Sequence, residues 1–147
     1  MSDLRELYQE VILDHNKRPR NFRVLNPASH EARGHNPLCG DRITVYLTVV
    51  DDIIQDIAFQ GQGCAISTAS ASLLTEALKG KTIAEAERLF EHFHEMVTTD
   101  QEPPSDMGKL AVLQGVRDYP SRVKCATLSW HAVQAALNRQ TDPVITE

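Results

Sequence analysis

No Cys-x-x-Cys pair occurs in this chain, and its three cysteines, Cys39, Cys64 and Cys125, stand far apart in sequence. An odd count at such spacing fits neither a disulfide framework nor a thioredoxin-type redox pair, so the thiols imply a reducing compartment. Positive charge is also scarce. Fifteen Lys and Arg against 20 Asp and Glu leave a net charge of -5, which excludes the broad phosphate-neutralising surface of a nucleic-acid binder and points to proteins or ions as partners. No apolar stretch approaches the length needed to span a bilayer, so no membrane is expected. Asp3, Glu6, Glu10 and Asp14 exclude a signal peptide's apolar run and are wrong for an acid-poor transit peptide, which places the expected protein in the cytoplasm. Repeats, low-complexity tracts, a Ser-His-Asp arrangement and a phosphate-cradling glycine loop are all missing. Residues 1–147 are therefore expected to form a single domain. That length buries a real core without disulfides or a metal to fold around, so any metal is functional first.

What is present begins with an amphipathic helix, Leu4, Leu7, Tyr8, Val11 and Ile12 on one face, Ser2 as N-cap and an end near His15. The basic run 17–23, around Pro19, must be loop, and reads equally as solvated surface or as a docking segment for a partner. From Ile43 the pattern alternates: Ile43, Val45, Leu47 and Val49 against Thr44, Tyr46 and Thr48, a half-buried strand. Asp51-Asp52 turns it into an antiparallel partner, Ile53 to Phe59, with Ile57 and Phe59 inward. Cys39 precedes the first strand and Cys64 follows the second, so the hairpin brings them side by side.

After Cys64, residues 65–79 read as a helix stopped by Gly80. Thr82 and Glu85 form a capping box that opens a helix carrying Leu89, Phe90, Phe93, Met96 and Val97. Leu110, Val112 and Leu113 suggest a further short helix. The last helix has the clearest stripe, Val123, Ala126, Trp130, Val133 and Leu137, with Cys125 expected in its first turn. The sum is an α+β fold, a small antiparallel sheet packed by helices.

Asp41 follows Cys39 by two residues, and Gly40, Gly61 and Gly63 mark the turns beside Cys39 and Cys64. Three thiolates and one carboxylate point to tetrahedral zinc or to iron–sulfur chemistry, whereas carboxylates alone would favour magnesium or calcium. Structural zinc sites bring their ligands in close pairs and close with four strong donors. Here the ligands come from three segments and the fourth is the poorer carboxylate, a site that holds its metal while letting one ligand leave. Cys64 and Cys125 at helix starts, the latter beside Arg122 and Lys124, favour the thiolate form.

At these residues the chain resembles the U-type iron–sulfur cluster assembly proteins. The resemblance rests on Asp14-His15 with Pro19-Arg20-Asn21, on Asn36-Pro37-Leu38-Cys39-Gly40-Asp41, on Gly61-Gln62-Gly63-Cys64-Ala65-Ile66-Ser67 with Ala69-Ser70, and on Lys124-Cys125-Ala126-Thr127-Leu128. Within that family it is similar to the SufU branch: Lys124 stands where IscU-like members carry a histidine, and the segment between Cys64 and Cys125 is longer by about five helical turns' worth of residues. The IscU-type chaperone motif is represented only by Pro120 and Arg122. The resemblance implies that Cys39, Asp41, Cys64 and Cys125 bind zinc, and that Cys39 accepts persulfide sulfur from a cysteine desulfurase, for later delivery to apoproteins or carriers. Arg122 is then placed to offset the negative charge left when three thiolates and Asp41 outweigh one zinc.

Two rival readings use the same residues. In one, the site is a scaffold on which a [2Fe–2S] cluster is built and passed on, Asp41 being the labile corner. In the other, the chain is a zinc-stapled interaction module, which its core-sized length opposes. His92 and His94, two residues apart on a helix, read as surface groups rather than a metal pair; His35 reads as a solvated loop residue near Cys39, and His131 as part of the last helix.

Overall fold

The computed structural model describes residues 3–25, 28–37, 40–99, 107–138 and 144–145, with the side chains of residues 3–8 outside that description. Helix α1 (Asp3–Lys17) is followed by strands β1 (His30–Asn36), β2 (Asp41–Val50) and β3 (Ile53–Gln62). Helices α2 (Ala65–Leu78) and α3 (Ile83–Thr98), a 3-10 helix (Gly108–Asp118), helix α4 (Pro120–Leu137) and a short strand β4 (Val144–Ile145) complete the order. Among the described residues the strands form one sheet in the order β3-β2-β1-β4. The expected antiparallel sheet is present in β1-β2-β3, but β4 joins β1 in parallel.

The β2–β3 hairpin follows its sequence pattern. Asp51 and Asp52 both take positive φ, 53° and 63°, the backbone of a two-residue turn whose twist matches paired strands. Ile43, Val45 and Leu47 are buried, and Ile57 and Phe59 meet them from β3. Tyr46 departs from the expected alternation: it is buried as well, opposite the buried Ala58. Strand β1 has no apolar alternation, because its inward positions are Ala32, Gly34 and Asn36. They are small or polar for a steric reason. Helix α4 passes so close that a Cβ on Gly34 would lie 3.0 Å from Leu128 Cδ1.

Helices α2 and α4 cover the sheet and pack on each other. The first half of α2 buries Ser67, Ala69, Ser70, Ala71 and Ser72, side chains short enough for close helix approach, and Ser70 Oγ donates to Ala126 O at 2.6 Å. The capping box of α3 forms as its sequence predicts, Thr82 accepting from Glu85 N–H and Glu85 from Thr82 N–H. Its stripe of Leu89, Phe93, Met96 and Val97 is buried, with Phe93 stacked on Trp130 at 4.8 Å between ring centroids.

The expected N-cap Ser2 lies outside the described residues. Two expectations on helix ends are corrected: α1 runs past the buried His15 to Lys17, so the basic run expected to be loop begins inside the helix. Helix α4 begins at Pro120, a residue suited to a first turn because its missing N–H would have no intrahelical partner. Cys125 is therefore the sixth helical residue and not in the first turn, beyond the reach of the dipole's positive end.

The basic run 17–23 is partly bound to its own fold. Arg20 pairs with Asp14 at 2.7 Å and Arg23 with both carboxylate oxygens of Asp56. Lys17 and Arg18 are exposed. Phe22 packs edge-on against Phe59, and backbone bonds from Arg23 N–H to Phe59 O and from Phe59 N–H to Asn21 O cover that stretch of the outer strand β3.

Candidate metal centre

Three segments converge at one end of the sheet. Asp41 opens β2, Cys64 caps α2 and Cys125 lies on α4, and a carboxylate oxygen and the two sulfurs all fall within 4.8 Å of one another. Asp41 and Cys125 are buried while Cys64 is half-buried, so the group opens to the outside on the Cys64 side. Cys39 lies outside the described residues, between the flanking Pro37 and Gly40 of the β1–β2 connection.

The approach of Asp41 to Cys64 is built by the hairpin. Arg42 pairs across to Gln62, so the start of β2 lies beside the end of β3, and the chain has only Gly63 in which to reach Cys64. Asp41 Oδ1 accepts the Cys64 N–H at 2.8 Å, and Oδ2 lies 3.9 Å from Cys64 Sγ. A buried carboxylate needs such a donor, and this one leaves its second oxygen facing the Cys64 sulfur. Gly63 leaves room for it: a Cβ there would run into the Asp41 carboxylate. At Gly61, φ is +153° and a Cβ would meet the Arg42 carbonyl, so the two chains approach at a distance only glycine allows.

Cys64 is the N-cap of α2, and its sulfur accepts the Ser67 N–H at 3.4 Å. Its thiol is drawn down to about 6. The hydrogen bond from Cys125 is the largest cause, and burial opposes it; the Ser67 and Ile66 N–H groups assist, and the Asp41 charge resists. The helix-start activation expected for both thiols thus applies to Cys64. Cys125 has further neighbours: Asn36 Nδ2 donates to its sulfur at 3.7 Å, and Ser121 O lies 3.6 Å from that sulfur.

Asn36 is a further residue of this site, one whose role the sequence motif does not reveal. The signal available was its place, three residues before Cys39 in an Asn-Pro step. Its side chain is fully buried, and it pairs across the sheet with Asp41. Of the two cations expected near the site, Lys124 is half-buried and Arg122 is exposed on the first turn of α4. His35 lies on β1 rather than in a loop and is half-buried. His94 and His131 flank Phe90, which joins α3 to α4, and burial lowers the His131 pKa.

The donor set decides which ions fit. Two sulfurs and a carboxylate oxygen close enough to be shared by one centre suit zinc or an iron–sulfur cluster and do not suit magnesium or calcium, which take oxygen ligands. The thiol of Cys64, already acidic, needs little further help to become a ligand. No described helix is long and apolar enough to cross a membrane.

The comparisons with known proteins agree with this geometry over nearly the whole chain. A zinc-dependent sulfurtransferase named SufU from Bacillus subtilis (strain 168) is 44% identical over 140 residues, 95% of each chain. An iron–sulfur cluster assembly scaffold protein named IscU from Streptococcus pyogenes serotype M1 is 41% identical over 143 residues, 97% of this chain and 89% of its own. The crystal structure of the N-terminal part of a nitrogen-fixing NifU-like protein from Brucella abortus superposes with a TM-score of 0.83 at 25% identity, covering 91% of this chain and 94% of that one. The family model described as the NifU-like N-terminal domain matches residues 7–138, a span that holds every residue of the converging group, and the chain belongs to that family.

Proposed function

We propose that this chain is a zinc-dependent sulfur acceptor of iron–sulfur cluster assembly. Cys39, Asp41, Cys64 and Cys125 hold the metal, and Cys39 takes the outer sulfur of a persulfide presented by a cysteine desulfurase. The observation that carries the proposal is the meeting of Asp41, Cys64 and Cys125, from three distant segments, within 4.8 Å. Only Gly40 stands between Cys39 and Asp41 in the chain, which supports including Cys39 in the same set. The Bacillus subtilis relative's name, zinc-dependent sulfurtransferase, supports the same reading.

Zinc bound there supplies charge that keeps the thiols ionised at neutral pH. The protein's own residues do the remainder. Asp41 holds the Cys64 backbone through Oδ1, and Ser67 N–H steadies the Cys64 sulfur. In the transfer, the Cys39 thiolate attacks the outer persulfide sulfur and forms a new S–S bond. The old S–S bond breaks, and the desulfurase cysteine leaves as a thiolate. Cys39 then carries the persulfide, with no net change of oxidation state across the pair. Recipients of that sulfur are apoproteins or carriers, and the reducing setting that free thiols require is the cytoplasm.

The test is metal analysis of anaerobically purified protein, followed by desulfurase turnover with the zinc-loaded form and with its Cys39→Ala variant. Stoichiometric zinc, stimulated turnover and labelled sulfur on Cys39 are expected, all sulfur uptake being lost in the variant. Zinc without stimulation, together with a stable cluster after reconstitution with iron and sulfide, would replace the acceptor by the scaffold. Lys124 argues against that outcome, because a lysine has no imidazole to supply the corner that a histidine before Cys125 would give, although Asp41 can fill the fourth position.

A further inference from the structure

Cys125 poses a chemical problem for a sulfur acceptor of this design. Its sulfur belongs to the same small group as that of Cys64, and a persulfide delivered there meets more than one nucleophile. Each described sulfur, however, has its own N–H donors. Cys64 takes the amide of Ser67 in the first turn of α2. Cys125 takes the side-chain amide of Asn36, from a residue 89 positions away in sequence.

Asn36 is unusual in its surroundings. It is an uncharged polar side chain with no exposed surface, at the last position of β1, where the strand faces the buried side of α4. It is also the cross-strand partner of Asp41 at the base of the β1–β2 connection. An apolar residue would fill that position equally well if only packing mattered. Burial of an amide there costs free energy unless it is hydrogen-bonded, and the Cys125 sulfur is an acceptor that its Nδ2 reaches.

An N–H donor on a thiolate draws charge from the sulfur. The sulfur then donates less to a bound metal and is a weaker nucleophile. We propose that Asn36 is a positioning residue that holds the Cys125 sulfur by this hydrogen bond and quiets it, so that sulfur acceptance is confined to Cys39. The inference rests on the acceptor reading given above. It adds that the selectivity among the three cysteines is set in part from β1, by a residue that binds no metal. The same bond ties the last residue of β1 to α4.

The experiment uses full-length protein loaded with cobalt(II) in place of zinc, as wild type, Asn36→Leu and Asn36→Ala. Leucine matches the volume without a donor, and alanine covers the case in which leucine does not fold; circular dichroism identifies the folded variants. Removing the N–H donor makes the sulfur more electron-rich, so the sulfur-to-cobalt charge-transfer band is expected to move to lower energy. On the zinc forms, brief alkylation with peptide mapping is expected to show Cys125 modified about tenfold faster than in wild type. Labelled sulfur from a desulfurase is expected on Cys125 as well as on Cys39. An unshifted band and unchanged Cys125 alkylation in a folded variant would overturn the role given to Asn36, even if Cys39 still accepts sulfur. A wild type that takes up no sulfur would overturn the acceptor reading and with it the selectivity, while the band position would still decide whether Asn36 tunes the Cys125 sulfur.

Discussion

Gly63 and Asp41 fill one space between them: the Asp41 carboxylate stands where the first carbon of any side chain at residue 63 would have to be. The carboxylate is held there by the Cys64 N–H at 2.8 Å, so the residue that turns the chain into α2 also decides where the oxygen donor sits. Gly63→Ala is expected to displace Asp41 while leaving the core intact. Zinc affinity, read by competition with a chromophoric chelator, should fall about ten- to hundredfold. An unchanged dissociation constant would show that Asp41 is not held by this contact.

The acidity of Cys64 makes a prediction for the metal-free protein. Its thiol is lowered to about 6, chiefly by the hydrogen bond from Cys125. Alkylation of Cys64 under chelator should therefore rise with pH around a midpoint near 6, well below that of an ordinary thiol. Cys125→Ala removes the largest cause and should raise the midpoint. Asp41→Asn removes a charge that opposes ionisation and should lower it. Midpoints that do not move in these opposite directions would contradict the arrangement.

His15 links α1 to α2. Its Nδ1 lies 2.6 Å from Ser72 Oγ, which also accepts the Arg20 N–H at 2.8 Å, and its Nε2 lies 3.6 Å from Glu76. Replacing it by alanine should cost about 2–3 kcal/mol in urea unfolding, from the lost packing and the unsatisfied partners.

The same histidine sets an acid limit on stability. Burial lowers its pKa below the ordinary 6.5, with Arg20 and Lys109 acting in the same direction and Glu76 and Asp14 against it. The unfolded chain thus takes up a proton at a higher pH than the fold does. This contribution is complete above pH 6.5 and is lost as pH falls through the lower folded value. Wild-type protein should lose stability on acidification in that window, and His15→Gln should lose less. Parallel pH profiles for the two would remove His15 from the account.

Metal removal should leave the fold standing. The buried core runs from Val45 and Leu47 through Leu74, Phe93 and Leu113 to Trp130, and none of it depends on the donor group. Chelation should lower the thermal midpoint by the binding linkage alone while keeping a cooperative transition and the helical dichroism. A chelated protein without cooperative unfolding would make the metal structural.

The β2–β3 hairpin was legible because period-two alternation and the Asp51-Asp52 turn are local signals. The capping box at Thr82 and Glu85 and the stripe through Ala126, Trp130 and Val133 were legible for the same reason. Strand β1 was not legible, since Ala32, Gly34 and Asn36 carry no apolar pattern and make sense only once Leu128 of α4 is seen against them.

By itself the sequence determined the fold class, the hairpin that sets the ends of β2 and β3 side by side, and the residue types able to bind a soft metal. All of these follow from short-range periodicity, turn chemistry and ligand preference. Only the tertiary structure decided that Cys125 sits past the first turn of its helix, that the acidity falls on Cys64, and that Asn36 reaches the Cys125 sulfur. The physical reason is distance along the chain. A hydrogen bond between residues 89 positions apart depends on how sheet and helix pack, and packing is a property of the whole core rather than of any segment.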